Sequence, residues 1–454
     1  MTFLGAGMLP GISAQSSLLQ ADTLQEMRIP TQWDLQSCID YAKEQNITIR
    51  KNRITAAGTQ IDVKTAKAAL FPSLSFSTGH QVVNRPYQET SSRVSGSEII
   101  SSNSKTSYNG NYGLNASWTL DNGNKRLKTI QQEKLNNQIA ELDVATSENN
   151  IQESIAQVYI QILYAAESVR VNENTLQVSI AQRDRGQELL NAGSIAKSDL
   201  AQLEAQVSTD RYQLVTAQAT LEDYKLQLKQ LLELDGENEM NIFLPALSDE
   251  NVLAPLPAKR EVYISGLGLR PEIEASKLNV EASELGINIA KSSYFPTISL
   301  SAGIGTNHTS GSDFTFGEQV KNGWNNSIGL SVSVPIFNNR QTKSAVQKAK
   351  LQYETSMLSL LDEQKALYKT IETLWLDANS AQQRYAAANE KLKSTKISYE
   401  LTSEQFNLGM KNTVELLTEK NNLLQAQQEQ LQAKYMAILN TQLLKFYQGD
   451  QLAL

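Results

Sequence analysis

The sequence predicts an α+β membrane protein, with four transmembrane β-strands per chain and long antiparallel helices packed as coiled coils. Three observations predict it. The chain carries one pattern twice, each half holds strands with an apolar face and a small, uncharged polar face, and each half holds a very long proline-free helical stretch followed by heptads.

The repeat comes first because it organises everything else. Ala66-Lys67-Ala68-Ala69-Leu70-Phe71-Pro72-Ser73-Leu74-Ser75 recurs as Ala290-Lys291-Ser292-Ser293-Tyr294-Phe295-Pro296-Thr297-Ile298-Ser299, an offset of 224. Gly113-Leu114-Asn115-Ala116-Ser117 recurs as Gly329-Leu330-Ser331-Val332-Ser333. The segment from Leu190 through Gly193 to Asp199-Leu200 recurs around Gly409 and Glu415-Leu416, and both of these offsets are 216. Equal offsets from Gly113 onward mean that the long segments between these markers have equal length. The expected organisation is a partial signal peptide over 1–14, a first repeat over 15–260 and a second over 261–454. Residues 1–14 are small and apolar and end in Ser13-Ala14, a site a signal peptidase cuts after, although a basic leading region is missing.

The strands are expected at about 70–80 and 108–120 in the first half and 296–305 and 324–336 in the second, joined by polar loops at about 80–107 and 306–323. Tyr108, Tyr112, Leu114, Ala116, Trp118 and Leu120 alternate with Asn109, Asn111, Asn115, Ser117 and Thr119. In the second half Trp324, Ile328, Leu330, Val332, Val334 and Ile336 alternate with Asn325, Ser327, Ser331 and Ser333. A sheet face solvated in the ordinary way carries Lys and Glu. Ser, Thr and Asn suit a water-filled lumen, with Tyr112, Leu114, Trp118, Trp324, Leu330 and Val332 turned to lipid. Residues 108–120 extend about 44 Å, enough to cross a bilayer. Bacterial barrels begin at about eight strands, so four per chain require a barrel shared between chains.

The long helices are expected over about 122–191 and 338–407, each about 105 Å. Asp121 and Asn338 or Asn339 are the expected N-caps, and Pro335 ends the strand before the second helix. Shorter helices follow at about 197–234 and 413–447. There Leu200, Val207, Leu214, Leu221 and Leu228, and again Leu417, Leu424, Leu431 and Ile438, recur every seven residues, the signature of coiled-coil packing. Pro245, Pro255 and Pro257 mark 235–260 as an irregular connector.

Composition narrows the function. A net charge of -7 argues against nucleic acid as a partner. The single Cys38 reads as a small buried hydrophobe, and with only His80 and His308 besides it a His/Cys metal site is disfavoured. No nucleophile, general-base or phosphate-binding constellation is present, so the chain reads as neither an enzyme nor a cofactor protein.

A doubled strand, strand, very long helix, Gly turn and heptad helix resembles the outer-membrane efflux, or TolC-like, family from about Trp33 to Tyr447. Phe71-Pro72, Phe295-Pro296, Val334-Pro335-Ile336-Phe337-Asn338 and the two Gly turns carry the resemblance. It implies a homotrimer with a twelve-stranded barrel in the outer membrane of a Gram-negative bacterium and an α-barrel of helices in the periplasm. It implies a periplasmic adaptor and an inner-membrane pump of RND or ABC type as partners.

The resemblance also implies an aperture at the periplasmic tip. Phe406-Asn407-Leu408-Gly409-Met410-Lys411 followed by Glu415 looks like the family's aperture segment, with Lys411 in place of its arginine and Glu415 at its first acidic ring. Phe406 lacks the hydroxyl of the family's tyrosine, and Thr418 replaces the second acid. Ser198-Asp199 resembles the segment that the arginine ties down, so Lys411 is expected to bond Asp199 or the Ser198 carbonyl in the closed state. An exposed pair of that kind contributes about 0–1 kcal/mol, a weak latch. Gly193, Ser194, Ile195, Gly409 and Met410 are the expected adaptor-docking tips. The implied function is a passive exit duct of a tripartite efflux or type I secretion system; the alternatives are a long-helix interaction scaffold and a stand-alone porin.

Overall fold

The computed structural model describes residues 32–87, 91–95, 98–102, 105–235, 240–245, 252–310 and 314–453. The expected signal peptide lies outside them, as do parts of the loops and of the connector.

The described residues begin with two helices absent from the sequence expectation. In α1 (Leu35–Gln45) the Asp34 carboxylate caps the start by accepting from the Ser37 N–H at 2.7 Å. Asn46 ends it and caps α2 (Ile47–Ala68) in turn. Strands β1 (Ser73–Asn84), β2 (Ser91–Ser95), β3 (Glu98–Ser102) and β4 (Thr106–Asp121) follow, then α3 (Lys125–Asn191) and α4 (Lys197–Leu231). The second half contains α5 (Lys259–Leu269), α6 (Pro271–Ser292), β5 (Thr297–Thr309), α7 (Phe316–Asn322), β6 (Asn325–Ser333), α8 (Gln341–Asn407) and α9 (Thr413–Gln448). Helix α6 carries the start signals Pro271, Glu272 and Glu274, which went unread beside the louder strand pattern.

Several boundaries move. The loop expected at 80–107 holds the end of β1 and the β2–β3 hairpin, and the loop expected at 306–323 holds the end of β5 and α7, which opens on a Thr315/Glu318 capping box. Strand β6 stops at Ser333, two residues before Pro335. The expected caps of the long helices are replaced. The residues before α3 and α8 are Asn124 and Arg340, both left-handed at φ 62° and 64°, with no side-chain cap. Asp121 instead accepts from the Gly123 N–H, and Asn338 donates to Thr342. In both halves two consecutive left-handed residues, Gly123-Asn124 and Asn339-Arg340, make the turn from strand to helix.

Helices α3 and α8 each have 67 residues, about 100 Å. Each folds back on its successor through a Gly turn, giving the hairpins α3–α4 and α8–α9. The largest core cluster lies far from both the turns and the sheet, where Trp33, Cys38, Ile155, Tyr159, Ile162, Leu228, Ala437 and Leu443 are buried together. Burial pushes the Cys38 thiol up to about 12, so it is an inert core side chain. The connector joins this core. Trp33 N–H donates to Asn241 O and Phe243 N–H to Trp33 O, both at 2.8 Å, and Tyr159 Oη donates to Phe243 O at 2.6 Å. Arg270, buried between Glu153 (2.9 Å) and Glu272 (2.8 Å) and lying 4.0 Å over the Tyr447 ring, ties the start of α6 to α3 and α9.

Candidate functional site

Two regions have a composition that ordinary folding does not require: the sheet at one end and the hairpin turns at the other. The sheet is antiparallel in the order β1-β4-β5-β6. Its register places Phe76 beside Leu114 and Ile304, and Trp118 beside Leu300 and Leu330, with Val332 beside Ile298. The half of this face nearer the long helices is therefore apolar, and it has no cover among the described residues: Leu74, Phe76, Ile328, Leu330 and Val332 are exposed, Ile328 at 84%. Trp324 sits just before β6 and is also exposed.

The opposite face carries Ser73, Ser75, Ser77, Asn115, Ser117, Ser299, Ser301, Ser327 and Ser331. Several of these hydroxyls turn back to neighbouring carbonyls, as in Ser301 Oγ to Gly329 O at 3.3 Å and Ser75 Oγ to Asn115 O at 3.4 Å. Within the chain β1 and β6 each have one unpaired edge. The junction with the helices is held by Arg126, which donates to Ala69 O at 2.9 Å and Leu120 O at 3.0 Å, and by Trp118 Nε1 to Leu70 O at 2.7 Å.

At the far end the two turns are built alike. Gly193 (φ 75°) and Gly409 (φ 74°) take the left-handed conformation in which a Cβ is strained. In the first, Ser194 N–H donates to Leu189 O at 2.8 Å. In the second, Met410 N–H donates to Gln405 O at 2.8 Å. This is the Schellman closure, and it satisfies the last carbonyls of α3 and α8. Ser194, Leu408, Met410 and Val414 are exposed, and Ile195 is half-buried.

The expected aperture residues divide. Lys411 Nζ, in the turn before α9, reaches Glu415 in the first turn of α9 at 2.5 Å and not Asp199 or Ser198. Asp199 accepts from the Ala196 N–H at 3.0 Å and so caps α4. Glu415 accepts from Asn412 N–H at 3.2 Å while Asn412 Oδ1 accepts from Glu415 N–H at 2.9 Å, a full capping box. Each acid is used locally because it stands three residues after the cap position, where its carboxylate meets the unpaired N–H groups of a first helical turn. Ser198 is exposed. Phe406 is a core residue, 3% exposed and packed with Leu203 and Leu416. The Lys411 ammonium, with the Asn412 N–H, holds the Glu415 carboxyl below the usual glutamate value.

A buried ionic cluster behind the tips was missed. Lys420 on α9 donates to Asp210 on α4 and Ser179 on α3, and Ser179 donates to Asp210. The two charged side chains are 3% and 1% exposed. Gln206 Nε2 serves the other Asp210 oxygen at 2.9 Å. Burial pulls the Lys420 ammonium below the lysine range, opposed by Asp210. The signal was present: Leu203, Val207, Asp210, Leu214 and Leu417, Lys420, Leu424 keep the 3-4 seam spacing, so each charge occupies a position meant for leucine.

A sequence model of the family described as "Outer membrane efflux protein" matches residues 38–233 and 264–449. The chain belongs to the outer membrane efflux protein family. The family's members are outer-membrane channels and not enzymes. Among curated relatives, the chain is 23% identical over 294 residues to the outer membrane efflux protein BepC of Brucella suis biovar 1 (strain 1330), covering 64% of this chain and 61% of that one. It is 22% identical over 313 residues to the outer membrane protein TolC of Escherichia coli (strain K12), covering 66% and 62%. The matches thus span less than two thirds of those two relatives. Among solved structures, CusC superposes with a TM-score of 0.78 at 18% identity over 92% of both chains, and VceC of Vibrio cholerae with 0.74 at 16% identity over 92% and 97%. This likeness shows the shared fold of long helical hairpins and a small antiparallel sheet.

Removing Lys420 strands a buried carboxylate. Lys420→Met is expected to destabilise the chain by about 3–5 kcal/mol, and Lys420→Met with Asp210→Leu to recover most of it; thermal unfolding of the three proteins checks this. The depressed Glu415 contributes stability that is present above the ordinary glutamate value and lost as pH falls through the lower, folded value. A spin label at Met410 is therefore expected to gain mobility on acidification, and to do so at a higher pH in Lys411→Ala.

Proposed function

We propose that the chain is the outer-membrane exit duct of a tripartite efflux or type I secretion system, working as a homotrimer. The observation that carries this reading is the four-stranded sheet with an uncovered apolar face, a Ser/Asn face and two open edges. Three copies joined edge to edge would give twelve strands, above the minimum for closure, with Tyr112, Leu114, Trp118, Trp324, Leu330 and Val332 facing lipid. The helical hairpins, contributed twice per chain by an internal two-fold repeat, would form the periplasmic α-barrel. Conduction is passive, since no energy-coupling site is part of this reading. A periplasmic adaptor would dock on the exposed tips at Gly193, Ser194, Ile195, Gly409 and Met410, and an inner-membrane pump would supply the driving force.

Lys411, Glu415, Asp199 and Ser198 would ring the aperture in the trimer, with Phe406 bracing it from the core. The local pairing of Lys411 with Glu415 means that opening need not first break a contact from Lys411 to the other hairpin. The net acidic balance of Asp199 and Glu415 over Lys411 favours cations in a narrow opening.

The purified protein is expected to run as a trimer, to fractionate with the outer membrane and to form cation-preferring channels in planar bilayers. Glu415→Gln with Asp199→Asn should shift the reversal potential toward the non-selective value. A soluble monomer without conductance would overturn the reading. A photoreactive residue at Ser194 or Met410 is expected to capture a periplasmic adaptor in cells; capture of cytosolic proteins alone would favour the scaffold.

A further inference from the structure

The chain's two histidines, far apart in sequence, meet at the end of the sheet farthest from the helices. Gly110 on β4 pairs with His80 on β1 and with His308 on β5, so both imidazoles stand on one face in a single cross-strand row with only a hydrogen between them. Tyr108, Tyr112 and Phe316 surround them. The His80 and Tyr108 rings lie 5.7 Å apart, His308 and Tyr108 5.3 Å, and His308 and Phe316 5.0 Å.

The space above Gly110 is common to both rings. A Cβ placed there would lie 2.5 Å from His308 Nδ1 and 3.2 Å from His80 Nδ1. Gly110 is itself buried, covered by the two imidazoles. His308 Nδ1 is buried and has no hydrogen-bond partner among the described residues. A buried polar atom without a partner is uncommon and asks for an explanation. His80 is oriented differently: its Nε2 lies 3.1 Å from Thr78 Oγ1 and its Nδ1 2.8 Å from Tyr108 Oη. When Thr78 accepts from Nε2–H, the lone pair of His80 resides on Nδ1, where it accepts from the Tyr108 hydroxyl, and a metal ion would take the place of that proton. A metal-ligating histidine is commonly held by such a hydrogen bond on its other nitrogen.

We propose that His80 and His308 form a binding site for one divalent transition-metal ion, held by the Nδ1 atoms of both and flanked by the Tyr108 hydroxyl. Two imidazoles suit Cu2+, Ni2+ or Zn2+, with Cu2+ held most tightly. The two Nδ1 atoms are thus at most about 5.7 Å apart, and metal–nitrogen bonds of about 2.1 Å ask the ring torsions to bring them within about 4.2 Å of each other. The ion would clip β1 to β5 across β4 at the rim of the face that carries Tyr112 and Leu114. The site reverses the expectation drawn from histidine scarcity, because two ligands suffice when the sheet register supplies their approach. It rests on the fold alone and stands apart from the export reading.

The scarcity makes the test clean. Cu2+ alone is titrated into the untagged full-length protein in detergent, and binding is followed by electron paramagnetic resonance. One Cu2+ per chain with a two-imidazole nitrogen signature is expected, and those nitrogens can come from nowhere else in the chain. His80→Ala and His308→Ala should each leave a one-imidazole signature and weaken binding about tenfold or more. Gly110→Ala, which keeps both ligands but fills the space between them, should weaken it likewise, with circular dichroism confirming that the sheet is retained. If Gly110→Ala loses the sheet, the two histidine variants decide. Absence of saturable binding to the wild type, or wild-type affinity in both histidine variants, would overturn the site. Two-imidazole binding at wild-type affinity in folded Gly110→Ala would overturn the proposed geometry.

Discussion

In a bilayer every backbone N–H and C=O must find its partner within the protein, and a four-stranded sheet leaves one edge of β1 and one of β6 without one. An uncovered apolar face adds the same demand from the side chains, because water is the wrong neighbour for Phe76, Ile328 and Leu330. A soluble protein resolves this by folding a second layer over the sheet. Here the long helices leave from the sheet's end, through the Arg126 and Trp118 contacts, and only the short α7 packs against it, with Phe316 beside His308 and Tyr112. Lipid on one side, water on the other and more strands at the edges satisfy all of these requirements together.

The helices obey a different constraint. A helix of 67 residues has no globular core to lie on along most of its length, so its stability must come from neighbours that follow it: the heptads of α4 and α9 on the half nearer the turns, and α2 and α6 on the half nearer the sheet. Where the seam could be leucine throughout, it carries Asp210 and Lys420. Buried charges in a seam are a poor source of stability but a strong selector of register, since any sliding of the hairpins leaves one of them unpaired. Ser179 completes the cluster from α3, so three helices from both halves are aligned at one level behind the tips.

At the tips the local physics of helix ends outranks longer reach. Asp199 and Glu415 sit three residues past a cap position, and each first satisfies the orphan N–H groups of its own helix. A carboxylate spent on capping keeps its charge, so residues in ordinary structural roles still set the potential around the hairpin turns.

The order of strands and helices, the long helices, the Gly turns and the apolar face were legible in the sequence, because each depends on the period of side chains along one segment or on one residue's φ preference. Helices α1, α2, α5, α6 and α7 and the β2–β3 hairpin were not legible in that way; the Pro271-Glu272 start is a readable signal but quieter than the strands beside it. What tertiary structure alone decided was every meeting between distant residues. Asp210 and Lys420 became partners when the hairpins stacked, Phe406 became core through Leu203 and Leu416, Lys411 turned to the first turn of α9, and His80 and His308 came together only through the register of three strands on Gly110. Periodicity reports which face of an element a side chain occupies, while the partner it meets there depends on how elements from different parts of the chain pack.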